Sequence, residues 1–261
     1  MNTNLNFIDS HCHVHFGEDR QALAQRIKMA HDNQVNQMLC ISIDETDRDE
    51  VIQLSKSEPS VLAAAAIHPT HDRQVVQSVD FLLEYCGDET LIAVGETGLD
   101  YFHVKEDTDW QKQRFVNHIN TAIELDKPLI IHTRDSMSDT LDILERNNAS
   151  RCRGIMHCFT GSWEDARRAL DMEFKISFSG IVTFNSARDL QAVAKKVPPT
   201  SILIETDSPY LAPVPFRGKA NQPAYVVHVA EKLAELRAES IQTIANQTTA
   251  NFYDLFPQVA V

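Results

Sequence analysis

LIAVGETGLDY, residues 91–101, decides how the chain is read: an apolar run without polar alternation ends on a carboxylate, Glu96. Such a run is the pattern of a strand covered on both faces, as in a parallel sheet flanked by helices. Four other apolar runs end on metal-type ligands. Residues 5–8 lead into Asp9-Ser10-His11-Cys12-His13, 128–131 into His132, 154–156 into His157, and 201–206 into Asp207.

Working outward, further apolar runs at 37–43, 61–67 and 175–178 bring the strand count to eight. The segments between them carry apolar residues at helical spacing. Examples are Leu23, Ile27 and Ala30; Val75, Val79, Leu82 and Cys86 on one face; Phe115, Ile119 and Ala122; and Ala166, Ala169 and Leu170. Eight βα units predict an α/β fold, a TIM-like (β/α)8 barrel. A doubly wound open sheet has the same local pattern, but only a barrel rings the C-terminal ends of strands 1, 4, 5, 6 and 8 around one mouth. The tail 224–256, with Val226, Val229, Ala230 and Leu233 on one face, reads as C-terminal helices. One domain spanning residues 1–261 is the expectation, since α/β barrels reach this length.

Composition narrows the function. No apolar run approaches the roughly 20 residues of a membrane span, and residues 1–9 lack the pattern of a signal peptide, so a cytoplasmic, soluble protein is expected. No stable protein partner is expected either. The five cysteines are odd in number and contain no C-x-x-C pair, which argues against a disulfide framework or a zinc-thiolate site. A formal net charge of -13 excludes a protein that grips nucleic acid through a general basic surface. It leaves room for a phosphate substrate. Two divalent ions, two carboxylates and neutral imidazoles make a locally positive pocket, by about two charges.

His11 and His13 stand on one side of an extended chain, near enough to share an ion, and Asp9 shares that face. His132 and His157 each follow a strand. Glu96 is placed to bridge two cations roughly 3.5–4 Å apart, whose mutual repulsion a shared anion relieves. Asp207 is placed to steer a water or take its proton.

These residues carry a family resemblance that runs nearly end to end. Its marks are Asp9-Ser10-His11-Cys12-His13, His68-Pro69, Gly95-Glu96-Thr97-Gly98-Leu99-Asp100-Tyr101, His132-Thr133-Arg134, His157-Cys158-Phe159, Glu205-Thr206-Asp207-Ser208-Pro209 and Arg217-Gly218-Lys219. The chain resembles the TatD-type metal-dependent deoxyribonucleases, which are related to the amidohydrolase barrels. The resemblance implies a distorted barrel holding two divalent metal ions. By that likeness, His11, His13, Glu96 and Asp207 hold one, and Glu96, His132 and His157 the other. It implies phosphodiester hydrolysis through a two-metal-activated water, with single-stranded DNA shortened from its 3′ end and Asp207 and Glu96 as catalytic residues. His-plus-carboxylate ligation suits Mn, Zn, Ni or Mg.

His68, Arg217 and Tyr101 are the expected substrate contacts, the arginine through its two-pronged fork. Arg134 either pairs locally with Asp135 or Asp100 or touches substrate, and Cys12 and Cys158 are expected to pack in the core. The chain departs from the family in having His15 where Asp is usual and Asn185 where a basic residue is frequent. Two alternatives follow: an amidohydrolase-type enzyme on a small amide, ester or phosphoester, or a metal-binding scaffold without turnover.

Overall fold

The computed structural model describes residues 5–17, 20–71 and 73–260. In order, the elements are β1 (Phe7–Cys12), α1 (Arg20–Asp32), β2 (Val35–Ser42), α2 (Arg48–Ser57), β3 (Val61–Ala65), α3 (Val79–Cys86), β4 (Leu91–Asp100) and α4 (Asp109–Leu125). They continue with β5 (Leu129–Arg134), α5 (Met137–Arg146), β6 (Gly154–Met156), α6 (Trp163–Asp171), β7 (Phe174–Phe178), α7 (Arg188–Lys196) and β8 (Ile202–Ile204), then α8 (Val226–Arg237) and α9 (Ile241–Leu255). The strands pair in parallel in chain order from β1 to β8, forming a nearly closed TIM barrel.

Alternation within each strand builds two apolar layers. Met38, Cys40, Val61, Ala63, Leu129 and Ile131 pack outward with helix residues such as Leu82, Phe115 and Leu141. Ile8, Leu39, Ile41, Leu62, Ile92, Ile130, Ile155 and Leu203 fill the interior. Phe252 and Leu255 of α9, with Phe256, pack against that inner layer and plug the barrel at the end away from the strand C-termini. The C-terminal helices are thus part of the barrel's core.

The distortion lies at the seam between β8 and β1. Among the described residues the two edges share one parallel bridge, Cys12 with Ser208. Around it the Asp207 N–H donates to His11 O at 2.9 Å and the His13 N–H to Ser208 O at 2.8 Å. Side chains complete the closure. Asp9 accepts from the Thr206 N–H (2.9 Å) and hydroxyl (2.6 Å), and Ser10 Oγ donates to Ile204 O (2.9 Å). Asp9, expected beside His11 and His13, is therefore spent on the seam, where it fixes the backbone that presents Asp207.

Two local expectations change. Helix α3 starts at Val79 because Ser78 caps it, its Oγ accepting the Phe81 N–H at 3.2 Å, so Val75 lies outside the helix and is 50% exposed. Strand β4 does not stop at Glu96 but runs on to Asp100. Gly95 and Gly98 permit this, because a Cβ on the first would collide with the Ile130 side chain and one on the second with the His132 carbonyl. At φ +142° Gly98 also adopts a conformation closed to other residues. The two glycines let β4 lie hard against β5, which sets Glu96 beside His132. Among the described residues no helix is long and apolar enough to cross a membrane.

Candidate metal centre

Glu96, buried at the centre of the mouth, turns its two oxygens to different sets of imidazoles. Oε2 lies 3.4 Å from His11 Nε2 and 4.0 Å from His13 Nε2. Asp207 Oδ1 faces the same two nitrogens at 3.9 and 3.7 Å. On the other side, Oε1 lies 2.7 Å from His132 Nδ1, 3.4 Å from His157 Nε2 and 3.6 Å from His68 Nε2. His11 and His157 stack at 3.5 Å between centroids, joining the two halves.

Three of the imidazoles are aimed by a partner behind them. His13 Nδ1 is 2.9 Å from Ile41 O, which leaves Nε2 to face the site. His132 Nε2 is 3.1 Å from Asp100 Oδ2. His157 Nδ1 lies 2.9 Å from Glu205 Oε1, off the hydrogen-bonding line, while the Cys158 N–H donates to the same oxygen at 2.8 Å. Such carboxylate–histidine pairs fix ring orientation and raise ligand basicity in metal sites. His68 differs. Its Nδ1 accepts the Thr70 N–H (3.2 Å), so its Nε2 carries the proton and points inward as a donor.

Three groups of side chains are compact enough to surround an ion: His11, Glu96 and His157; His11, His13 and Asp207; and His68, Glu96 and His132. His11 supplies the test of fit. It is fully buried, yet neither of its ring nitrogens has a hydrogen-bond partner among the described residues. A buried unpartnered polar atom costs about 1–3 kcal/mol, and a cation between His11, Glu96 and Asp207 removes that cost. The donor set, imidazole plus carboxylate, is that of first-row divalent ions.

The electrostatics agree. Burial would raise the Glu96 pKa, but His157, His68 and His11 hold it well below the usual carboxylate range. Burial favours neutral imidazoles; at His132 the Asp100 and Glu96 carboxylates outweigh it and hold the pKa up at about 9. At His157, Glu205 and Glu96 do the same, to about 10. Both rings therefore carry a proton in the metal-free protein at neutral pH, and a cation must displace it. Metal affinity is expected to climb as pH rises toward 9, by up to about 100-fold per unit if both protons leave. Calorimetric titration of stripped protein in buffers of different ionisation enthalpy counts those protons, and an affinity flat between pH 6 and 9 contradicts this linkage.

The centre opens into a cavity of about 750 Å³ lined by His13, His68, Glu96, His132, His157 and Asp207, with Arg73, Asp100, His103, Arg134, Cys158 and Tyr210 also on its wall. The structure thus brings His11, His13, Glu96, His132, His157, Asp207 and His68 together. It does not bring Tyr101 or Arg217 to the cavity wall. Tyr101 donates its hydroxyl to Asp139 at 2.7 Å, and Arg217 sits 4.5 Å above the Phe184 ring on an exposed loop. Asn221 pins that loop beside Asp207 by donating to Thr206 O (2.8 Å) and Tyr210 O (2.6 Å). Cys158 is on the wall instead of in the core, because its left-handed backbone (φ 43°) turns the chain just after His157. Arg134 pairs with neither Asp135 nor Asp100; it stacks on Phe102. The sequence reading missed Glu205, although its place two residues before Asp207 at the end of β8 was a signal for a residue at the mouth.

An eight-stranded parallel barrel whose strand ends deliver five imidazoles and two carboxylates to one mouth is the frame of a metal-dependent hydrolase. The family model described as TatD related DNase matches residues 8–257, and the chain belongs to that family. The uncharacterized metal-dependent hydrolase YcfH of Escherichia coli K12 is 40% identical over 253 residues, covering 95% of each chain. One from Bacillus subtilis, YabD, is 38% identical over 249 residues, covering 95% of this chain and 98% of its own. Among solved structures, the TatD homologue YJJV of Escherichia coli K12 superposes with a TM-score of 0.91 at 28% identity, covering 97% of this chain and 99% of that one.

Proposed function

We propose that this protein is a cytoplasmic, two-metal phosphodiesterase that shortens single-stranded DNA from its 3′ end. The observation that carries the reading is the division of Glu96, with Oε2 toward His11 and His13 and Oε1 toward His132 and His157. His11, His13, Glu96 and Asp207 would hold one ion, and Glu96, His132 and His157 the other. When bound, the ions offset charge on the phosphoryl oxygens and lower the pKa of water toward neutrality. The DNase description of the matching family supports DNA as the substrate.

The chain's own residues do the rest. Asp207 is the more exposed of the two central carboxylates, its side chain 16% accessible, so it meets the attacking water and takes its proton. The imidazoles of His157, His11 and His13 keep it ionised against its burial. His68 Nε2–H donates toward a phosphoryl oxygen, and burial holds its pKa down at about 4, so that it stays neutral. Asp100 and Glu205 keep His132 and His157 turned toward the centre.

The test is a 5′-labelled single-stranded oligonucleotide incubated with Mn- or Mg-loaded protein. The expected result is a ladder shortening from the 3′ end that chelator abolishes. No cleavage by metal-loaded protein overturns the reading in favour of small esters or amides.

A further inference from the structure

The cavity extends past the metal centre to a wall that the chemistry above does not use. We propose that Arg134, stacked on Phe102 and flanked by Arg73, forms a subsite for a second phosphate of the substrate strand, beside the phosphodiester that is cut. The inference rests on the nuclease reading and deepens it.

Placement comes first. Arg134 follows His132 by two residues on β5, so both side chains leave the same face of the strand, ~6.6 Å apart along it. The adjacent strand keeps the same register, Gly98 opposite His132 and Asp100 opposite Arg134. Arg134 and Arg73 both line the cavity that holds Glu96 and Asp207.

Availability comes second. Arg48, Arg146, Arg153, Arg167, Arg168 and Arg237 each lie against a carboxylate. Among the described residues, neither Arg134 nor Arg73 does. The acid nearest in register to Arg134, Asp100, is already committed: Oδ1 accepts the His103 N–H (2.8 Å), and Oδ2 faces His103 Nδ1 (2.8 Å) and His132 Nε2 (3.1 Å). Among the described residues, the Arg73 side chain makes one bond, from a terminal nitrogen to His103 O at 3.4 Å. In a chain of net charge -13, two arginines without acidic partners among the described residues, at the mouth of the metal site, mark where an anion is wanted.

Geometry comes third. The Arg134 guanidinium lies 4.1 Å from the centroid of the Phe102 ring, which is itself 47% exposed. Stacking holds the planar fork in one orientation and leaves its edge N–H groups free, the arrangement that grips two phosphate oxygens at once. The exposed Phe102 ring behind Arg134 is thereby explained as the platform for that fork.

The test compares Mn-loaded wild type with Arg134→Ala, Arg134→Lys and Phe102→Ala on two DNA substrates. One is a dinucleoside phosphate, with a single phosphate; the other is a trinucleotide, with two. Wild type is expected to favour the two-phosphate substrate in kcat/KM by about 10- to 100-fold, the worth of one or two charged hydrogen bonds. Arg134→Ala removes most of that preference, mainly through KM. Arg134→Lys keeps part of the charge but not the fork and falls between, and Phe102→Ala shifts the preference in the same direction by less. A wild type without preference, or an Arg134→Ala enzyme that loses equally on both substrates, overturns the subsite and leaves the nuclease intact. Cleavage of neither substrate by wild type overturns the nuclease reading and the subsite with it.

Discussion

Asp207→Asn is expected to lower the proposed phosphodiester hydrolysis by about 10³-fold, equivalent to about 4 kcal/mol of transition-state stabilisation, while the fold survives. The backbone of residue 207 is anchored without its side chain, through its N–H to His11 O at 2.9 Å. Its φ of 56° lies in the left-handed region, which asparagine adopts as readily as aspartate and more readily than alanine. Asparagine keeps volume and conformation and removes only the negative charge and the proton acceptor. Steady-state kinetics beside a thermal melt check this: a lost rate with a melting temperature within a few degrees of wild type is the expected pair. A variant retaining wild-type turnover removes Asp207 from the chemistry.

Glu96→Ala has a larger effect, about 10⁴-fold or more, because it removes the group common to both halves of the centre. The side chain is 4% exposed and lies within 4.0 Å of five imidazoles, so its loss takes away the anion that would offset the repulsion of the two proposed cations. Bound metal should fall from two equivalents to one or none, measured by elemental analysis after gel filtration. Without Glu96 the imidazoles lose one counter-charge, while Asp100 still faces His132 and Glu205 still faces His157, so stability changes less than activity does. Two retained equivalents would assign the bridging position to another group.

Much of this site was legible because a parallel barrel converts sequence position into spatial position: whatever follows a buried apolar run lies at the mouth. Glu96, His132, His157 and Asp207 were found by that rule, and the structure brings them together. The same rule has limits. It does not say which side chain a seam consumes, and Asp9 closes β8 onto β1 instead of joining the cluster. It says nothing of ring tautomers either; His68 is set by one backbone N–H two residues on.

Loop residues were hardest to place, since no strand register fixes them. Arg217 and Tyr101 were expected at the substrate and instead contact Phe184 and Asp139, whereas Arg73 lines the cavity without any motif to announce it. For Arg134 the sequence left a local ion pair with Asp135 or Asp100 beside a substrate contact, and the register of β4 against β5 gives Asp100 to His132 and His103 and leaves the arginine to the cavity.

The most direct measurement of the central claim is anomalous diffraction from crystals of the Mn-loaded protein. Two peaks roughly 3.5–4 Å apart, one beside Glu96 Oε2 with His11, His13 and Asp207 and one beside Oε1 with His132 and His157, are predicted. A single peak, or metal bound away from Glu96, contradicts it.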